Sequence, residues 1–183
     1  MILSTKVLDI KDVKLFNINS YCDKRGSFLE VFKSNLDFKE FKLNYVQENE
    51  SKSKYGVFRG MHFQKGIYSQ AKLLRVVKGK VLDFICDLRE GSPTFKKIIT
   101  IELTNENILF LPKGLAHGFL ALEDDSIINY KCDNYYNPKY ECGFNLFTSN
   151  LDLDLNFNKK DLIISTKDKK LKDLNQTYFF KNI

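Results

Sequence analysis

Short β-type runs separated by turn signals are the feature that most constrains the fold of this chain. Between about residue 43 and residue 131, apolar and β-branched residues recur in runs of four to eight residues. Closely spaced short strands are typical of a β-sandwich or a small barrel. We predict seven strands here, at Leu43–Gln47, Lys72–Val77, Val81–Leu88, Ile98–Leu103, Ile108–Leu111, Gly118–Leu122 and Ile127–Lys131.

Turn residues support this division. Lys78-Gly79 joins two alternating runs as a hairpin would, and Pro112-Lys113-Gly114 predicts a tight corner. Helical patterns are confined to the flanks, at Ser34–Phe41 and in a lysine-rich tail from about residue 160 to residue 183. Residues 1–183 contain no repeat or linker, so we expect one domain.

Composition narrows the classes of function. The 183 residues are 43% hydrophobic, which is enough for a core without disulfides or a structural metal. The four cysteines form no CxxC pair, and no secretion signal or membrane-spanning run is visible, which predicts a cytoplasmic protein that does not contact a membrane. Lysine and arginine outnumber acids 29 to 23, but the excess is scattered, which argues against nucleic-acid binding.

The run Gly56–Gln64 places His62, one of two histidines, close to Arg59. Histidine exchanges a proton near neutral pH, and arginine binds phosphate oxygens with two parallel donors. In an unbroken strand the two side chains would point to opposite faces, but Gly60 between them is a candidate bulge. A hydrogen-bonded core histidine is the alternative, so spacing alone does not assign a catalytic role.

Four other positions offer chemistry, each with a structural alternative. Lys72 opens an apolar strand and could face a developing oxyanion, or be an ordinary exposed lysine. His117 lies between glycines after a proline–glycine corner, as either a site residue or a surface-turn residue. Tyr130 precedes an aromatic loop with Tyr136, which offers a proton donor and a stacking ring, or packing alone. Asp168, three residues after Ser165, fits a helix cap, or a carboxylate that orients a histidine.

A metal site is not expected. Neither histidine has another ligand type at the spacing usual for a strand or a helix, and His62 is followed by Phe63-Gln64 rather than by the second histidine of a His-x-His pair. We therefore predict neither a metal nor another cofactor.

These residues occur in blocks whose order resembles the dTDP-4-dehydrorhamnose 3,5-epimerase family, from about residue 23 to residue 168. The resemblance implies a mainly β, cupin-like double-stranded β-helix, or jelly roll, with short flanking helices. Phe147 is a departure, since relatives usually carry tryptophan there, and Cys142 is another. The blocks are Asp23–Glu30, Gln47–Asn49, Val57–Gln64, Lys72–Arg75, Pro112–Phe119 and Tyr130–Pro138.

The resemblance implies that His62 is the general base, with Asp168 as its carboxylate partner. Tyr130 would deliver a proton on the opposite face of the sugar ring, and Lys72 would stabilise the enolate oxygen. The substrate would be a dTDP-linked 4-keto-6-deoxy sugar inverted at C3 and C5, within a homodimer whose subunits complete each other's pockets. The implied nucleotide and sugar contacts are Arg25, Glu30, Gln47, Asn49, Arg59, His117, Tyr136, Glu141 and Lys167.

Other activities fit the same pattern. A single-site epimerase acting at C3 or C5 and a 3,4-ketoisomerase are the enzymatic alternatives, and a sugar-binding cupin without activity is the non-enzymatic one. The presence of both His62 and Tyr130 favours the double epimerase, because inversion needs a base on one face and a donor on the other.

Overall fold

In the computed structural model, which describes residues 2–33, 44–148 and 157–181, two antiparallel sheets pack face to face. The predicted jelly-roll fold is confirmed. The first sheet has the order β1-β2-β10-β7-β12-β5, with strands Ile2–Val7, Lys14–Ile18, Asn107–Leu111, Lys72–Lys78, Ser126–Cys132 and Gln47–Ser53. The second has the order β13-β6-β11-β8-β9, with strands Glu141–Gly143, Val57–Gln64, Leu115–Ala121, Val81–Asp87 and Ile98–Leu103.

Three further strands and several short helical turns complete the described chain. Strands β3 (Ser20–Asp23) and β4 (Gly26–Leu29) form a separate hairpin, and β14 (Ile163–Ile164) pairs in parallel with β6. None of the helices in the described ranges is long and apolar enough to cross a membrane. The 3₁₀ turns are Gly66–Tyr68, Pro138–Tyr140, Lys159–Asp161 and Leu174–Gln176, and helix α1 is Thr166–Lys169.

Period-two alternation builds the core in layers. Apolar side chains on the inner faces of both sheets, such as Leu74 and Ile85, form one buried cluster between them. Because neighbouring strand residues point to opposite faces, Phe84 lies in a second cluster on the outer face of the second sheet. The C-terminal residues Leu174 and Phe180 cover that outer face.

Three predicted elements differ from the structure in the described chain. The strand predicted at Gly118–Leu122 is Leu115–Ala121 and begins directly after the Pro112-Lys113-Gly114 corner. The strand predicted at Leu43–Gln47 lies at Gln47–Ser53 in the structure. The prediction missed these residues because the strand alternates exposed charged residues with half-buried polar ones and has no apolar periodicity. In its described residues, the tail predicted to be helical contains only the short helix α1, 3₁₀ turns and strand β14. Phe180 instead pairs with the backbone of Leu88 and Glu90 in an extended conformation. The helix predicted at Ser34–Phe41 lies outside the described residues.

Candidate active site

A cavity of about 630 Å³ opens between the two sheets, within the size range of small-molecule sites. Its walls combine apolar side chains with a concentrated set of titratable and amide groups. Eleven of the thirteen residues predicted for the site line this cavity, namely Gln47, Asn49, Arg59, His62, Lys72, His117, Tyr130, Tyr136, Glu141, Lys167 and Asp168.

A bulge in β6 brings Arg59 and His62 to the same face. His117 pairs with His62 and Phe119 pairs with Arg59, so two residue steps on β11 match three on β6. Gly60 makes this possible, because its φ is +133° and a Cβ there would lie 2.5 Å from the Cα of Gly118. The expectation that Gly60 relaxes the strand parity is therefore confirmed.

His62 forms a hydrogen-bonded pair with Asp168. Its Nε2 lies 2.7 Å from Oδ1 of Asp168, which is almost fully buried, whereas the imidazole keeps 30% of its surface exposed. An ionised carboxylate only accepts hydrogen bonds, so Nε2 carries the proton and Nδ1 keeps its lone pair. The pair therefore leaves one basic nitrogen.

Asp168 is held ionised by its surroundings. Burial by itself would raise its pKa, but hydrogen bonds from His62, from the Gly60 N–H and from Ser165 outweigh burial and lower the pKa. Ser165 also caps α1, since its hydroxyl accepts the Asp168 N–H at 3.0 Å. Both roles considered for Asp168 are thus present, because the cap fixes the carboxylate that orients His62.

A second histidine–carboxylate pair lies deeper, where Nε2 of His117 contacts Oδ2 of Asp83 at 2.7 Å. Asp83 is fully buried, and burial raises its pKa despite the neighbouring His117 and Lys72. Its second oxygen has no hydrogen-bond partner among the described residues. Asp83 was not predicted, although a carboxylate between Leu82 and Phe84 in an apolar strand is a signal, because such residues are seldom buried unpaired.

Lys72 and Tyr130 stand side by side on neighbouring strands of the first sheet. The Lys72 Nζ lies 5.6 Å from the centre of the Tyr130 ring. Burial lowers the pKa of Lys72, and nearby acidic groups, including Asp83, partly oppose that shift. Burial also raises the pKa of Tyr130, so the phenol stays protonated and can donate.

A polar chain borders the cavity at Glu141. The Tyr136 hydroxyl donates to Oε2 of Glu141 at 2.7 Å, and the Lys167 ammonium donates to Oε1 at 2.6 Å. The bond to Glu141 raises the pKa of Tyr136 to about 12. The Tyr136 N–H donates to Gln47, and Gln47 donates to Asn49, so these predicted binding residues form one connected network.

Arg25 and Glu30 do not line the cavity. Arg25 lies in the turn of the β3–β4 hairpin, where its side chain is 84% exposed and pairs with Asp23, and Glu30 directly follows β4. Ser51 does line the cavity and was not predicted; its buried hydroxyl has no hydrogen-bond partner within the described ranges. The signal for Ser51 is its place in the Gln47–Ser53 strand, on the same face as Gln47 and Asn49.

The arrangement suits removal of a proton next to a carbonyl group. His62 supplies a base from the second sheet, while Tyr130 supplies a proton donor from the first sheet, across the cavity. Lys72 lines the same cavity beside Tyr130, where its ammonium can stabilise a developing oxyanion. Among the described residues, no three histidine, cysteine, aspartate or glutamate side chains are grouped so that they could hold a metal ion.

Comparison with known proteins agrees with this geometry. The family model for dTDP-4-dehydrorhamnose 3,5-epimerase matches residues 7–176. A relative of that name from Methanothermobacter thermautotrophicus is 42% identical over 161 residues, which are 85% of this chain and 86% of the relative.

Two solved structures resemble the chain along nearly its whole length. The crystal structure of dTDP-4-dehydrorhamnose 3,5-epimerase from Elizabethkingia anophelis has a TM-score of 0.87 and 37% identity, covering 96% of this chain and 98% of that one. The Legionella pneumophila dTDP-6-deoxy-D-glucose-3,5-epimerase, solved with dTDP-4-keto-L-rhamnose, has a TM-score of 0.87 and 34% identity, covering 94% and 93%.

Proposed function

Since the chain belongs to the dTDP-4-dehydrorhamnose 3,5-epimerase family, we propose that His62, Lys72 and Tyr130 carry out its proton transfers. The enzyme is an isomerase that converts dTDP-4-dehydro-6-deoxyglucose to dTDP-4-dehydrorhamnose by inverting C3 and C5. The observation that supports these roles best is the placement of an oriented histidine and a protonated tyrosine on opposite walls of one cavity.

Abstraction of the proton is the task of His62. The C4 ketone acidifies the hydrogens on C3 and C5, and Nδ1 of His62 is the nitrogen left free to accept one of them. Asp168 keeps the ring in that tautomer and stabilises the imidazolium that forms. Because the imidazole is partly exposed to the cavity, either carbon can be presented to the same base.

Lys72 stabilises the enolate. Both carbons flank the same ketone, so one cation near O4 serves both steps, and a preorganised donor of this kind contributes roughly 3 to 4 kcal/mol. Buried Asp83, which contacts His117, lies close to Lys72 and favours its protonated form. His117 also lines the cavity and is proposed to contact the sugar.

Tyr130 returns a proton from the other wall, which inverts the carbon. The resulting phenolate lies near Lys72 and Arg59, whose charges favour the anionic form. A proton taken on one face and replaced on the other is the minimum that an epimerase requires.

The remaining lining residues are proposed to hold the nucleotide. Arg59 is exposed to the cavity and suits a diphosphate, because its guanidinium can bind two oxygens at once. Tyr136 offers a 48% exposed ring on which the thymine can stack. Gln47, Asn49, Glu141 and Lys167 supply amide, carboxylate and ammonium groups around it.

We also propose a homodimer in which each subunit contributes Arg25 and Glu30 to its partner's cavity. Support comes from their position, since both lie on or beside an exposed hairpin rather than in their own subunit's cavity. Light scattering should give twice the chain mass of 21.4 kDa. Mixing Arg25→Ala and His62→Asn subunits should restore about a quarter of wild-type activity, because a statistical mixture is half heterodimer with one intact site each. A monomer, or no recovery on mixing, contradicts this.

A cytoplasmic location and a role in building surface polysaccharide complete the proposal. All four cysteines are free thiols, which fits a reducing compartment. Residues 1–183 are proposed to act as one epimerase domain.

Deuterium exchange tests the activity. The protein is incubated with dTDP-4-keto-6-deoxyglucose in deuterium oxide, and label uptake is followed by mass spectrometry. Two deuterons per product molecule, at C3 and C5, are expected. One deuteron would assign a single-site epimerase, a product with the ketone at C3 would assign a ketoisomerase, and no uptake would contradict enzymatic function. Tyr130→Phe should slow reprotonation more than proton loss.

A further inference from the structure

A second cavity, of about 470 Å³, lies behind the wall of the catalytic one. Strand β13 separates the two, since Glu141 lines the catalytic cavity and the next residue, Cys142, lines the second. The same division occurs around α1, because Asp168 faces His62, whereas Lys170 lines the second cavity. None of the residues that line this second cavity has a role in the proposed epimerase mechanism.

The second cavity is positively charged. Three lysines, Lys65, Lys170 and Lys172, line it, and none of its lining residues is an aspartate or a glutamate. Within residues 2–33, 44–148 and 157–181, none of the three ammonium groups forms an ion pair. This sets them apart from Lys131 and Lys167, which are paired with carboxylates.

The three lysines bring positive charge to the lining of one cavity. A sphere of the cavity's volume is about 10 Å across, which is close to the ~8 Å screening length at physiological salt, so salt only partly screens the lining lysines from an anion bound inside. A bound anion would gain attraction from all three lysines. An anion with two or more charges suits the cavity best.

The other lining groups fit a phosphorylated ligand. Gln176 offers an amide donor, and Tyr178 has a 40% exposed ring with the Lys65 Nζ at 5.8 Å from its centre. The ring is supported by Phe180, whose centroid lies 5.1 Å away. An exposed ring on a packed base is a surface against which a planar group can stack.

Hydrogen bonds to backbone carbonyl groups hold the walls of the second cavity in place. The Thr177 hydroxyl donates to the Gly143 carbonyl at 3.0 Å, and the Asn145 N–H donates to the Lys172 carbonyl at 2.8 Å. The Leu171 N–H donates to the Asp168 carbonyl at 3.2 Å. The cavity is therefore preformed, which lowers the entropic cost of binding.

We infer that this lysine cavity, lined by Lys65, Lys170 and Lys172, is a second binding site, for a diphosphate-bearing metabolite distinct from the substrate. The inference goes beyond the epimerase reaction and does not depend on it. The diphosphate lies among the three ammonium groups, and Tyr178 receives a base or sugar when the ligand carries one.

Protection of Cys142 from alkylation reports occupancy of this cavity. A Cys22→Ser background removes the exposed thiol, and Cys86 and Cys132 are buried. Labelling is done at mildly alkaline pH, because burial raises the pKa of the Cys142 thiol. Inorganic pyrophosphate is added without dTDP, because dTDP itself carries a diphosphate, and Cys142 lines the second cavity but not the catalytic one. Protection should saturate and reach about tenfold when pyrophosphate is at ten times its midpoint concentration.

Charge variants locate the effect. Lys170→Gln/Lys172→Gln should lose the protection and keep epimerase activity within about twofold, which also shows that the variant folds. Lys6→Gln/Lys181→Gln removes the same net charge at exposed positions and should keep the protection. Lys65→Gln tests the third lysine independently. No protection of the parent, or protection that persists in all the cavity variants, overturns the inference.

Replacing pyrophosphate with ADP distinguishes the sources of the diphosphate. A lower midpoint for ADP that Tyr178→Leu abolishes identifies a nucleotide ligand. Equal midpoints identify the diphosphate group as sufficient. Either result supports the site, whereas ADP that gives no protection while pyrophosphate does would show that the cavity holds an adventitious ion only.

Discussion

The two histidine–carboxylate pairs of this protein have the same length and opposite surroundings. Each joins an imidazole Nε2 to a carboxylate oxygen at 2.7 Å. The His62 side chain is 30% exposed and faces the cavity, whereas that of His117 is 10% exposed and its partner Asp83 is fully buried. Contact distance therefore does not separate the pair proposed to transfer a proton from the pair proposed to support it.

The carboxylates explain the difference. Asp168 receives additional hydrogen bonds from Gly60 and Ser165, and its pKa is lowered, so it remains a fixed anion behind His62. Asp83 lacks such donors for one oxygen, and its pKa is raised by burial. We propose that the first pair holds a base in one tautomer and that the second places negative charge near Lys72.

Replacing each histidine in turn should give the largest difference in activity between the two pairs. His62→Asn should lower kcat by about 10³-fold, within the range for loss of a general base. His117→Asn should lower kcat about tenfold, because we propose that the ring holds Asp83, the acid beside Lys72, and does not remove a proton. Steady-state kinetics of both variants provide the measurement. Equal losses would mean that the pairs share one role.

Neutralising the two carboxylates should change stability in different directions. Asp168→Asn should lower the free energy of unfolding by about 1–2 kcal/mol at neutral pH, since it removes the acceptor of charge-assisted hydrogen bonds. Asp83→Asn should leave that free energy unchanged or raise it, because its buried charge opposes folding at neutral pH. Urea unfolding measures both. A larger stability loss for Asp83→Asn would contradict the contrast.

The pH dependence of stability sharpens the contrast. The contribution of Asp168 is present above the unfolded pKa of about 3.9 and is lost as pH falls through its lowered folded pKa. Wild type and Asp168→Asn should therefore converge in acid. The cost of ionised Asp83 instead disappears as pH falls through its raised pKa, so wild type approaches Asp83→Asn from below. Unfolding curves at a series of pH values test both trends.

The dependence of kcat/KM on alkaline pH should also differ between the Asp83 and Asp168 variants. Loss of Asp83 removes an anion that favours protonated Lys72, so the alkaline limb of kcat/KM should move to lower pH in Asp83→Asn. Asp168→Asn should lower the whole profile and leave that limb in place. An unshifted limb in Asp83→Asn would show that Asp83 does not act through Lys72.

The smallest expected effect concerns the cap behind the first pair. Ser165→Ala should cost about 1 kcal/mol of stability and about threefold in kcat, because the Asp168 N–H loses its acceptor. Ser165→Thr keeps the hydroxyl and should restore both. If alanine and threonine behave alike, the cap does not position Asp168.

Most of the fold and most of the residues that line the site can be predicted from the sequence. The contacts between side chains that are distant along the chain cannot. Apolar strands such as Ile98–Leu103 are recognised because alternation is visible along the chain, whereas the polar strand Gln47–Ser53 offers none. Gly60 marks the bulge locally. The His62–Asp168 contact joins residues 106 positions apart, so only the resemblance named His62 as the histidine that Asp168 orients.

Two of the cases that sequence reasoning missed or left incomplete have clear physical causes. Asp83 stands out only because it is buried next to His117 and Lys72, and both of these residues lie on other strands. Arg25 belongs to one of the blocks that carry the resemblance but lies outside the cavity of its own chain, and its proposed contact with a partner's cavity cannot be derived from one sequence.

Loss of substrate hydrogen to solvent in the two histidine variants tests the central claim most directly. Wash-in of deuterium from solvent into dTDP-4-keto-6-deoxyglucose is followed by mass spectrometry under single-turnover conditions. Slow but measurable label uptake by His117→Asn, together with none by His62→Asn, is the predicted result. Uptake by His62→Asn at the wild-type rate would show that another group removes the proton.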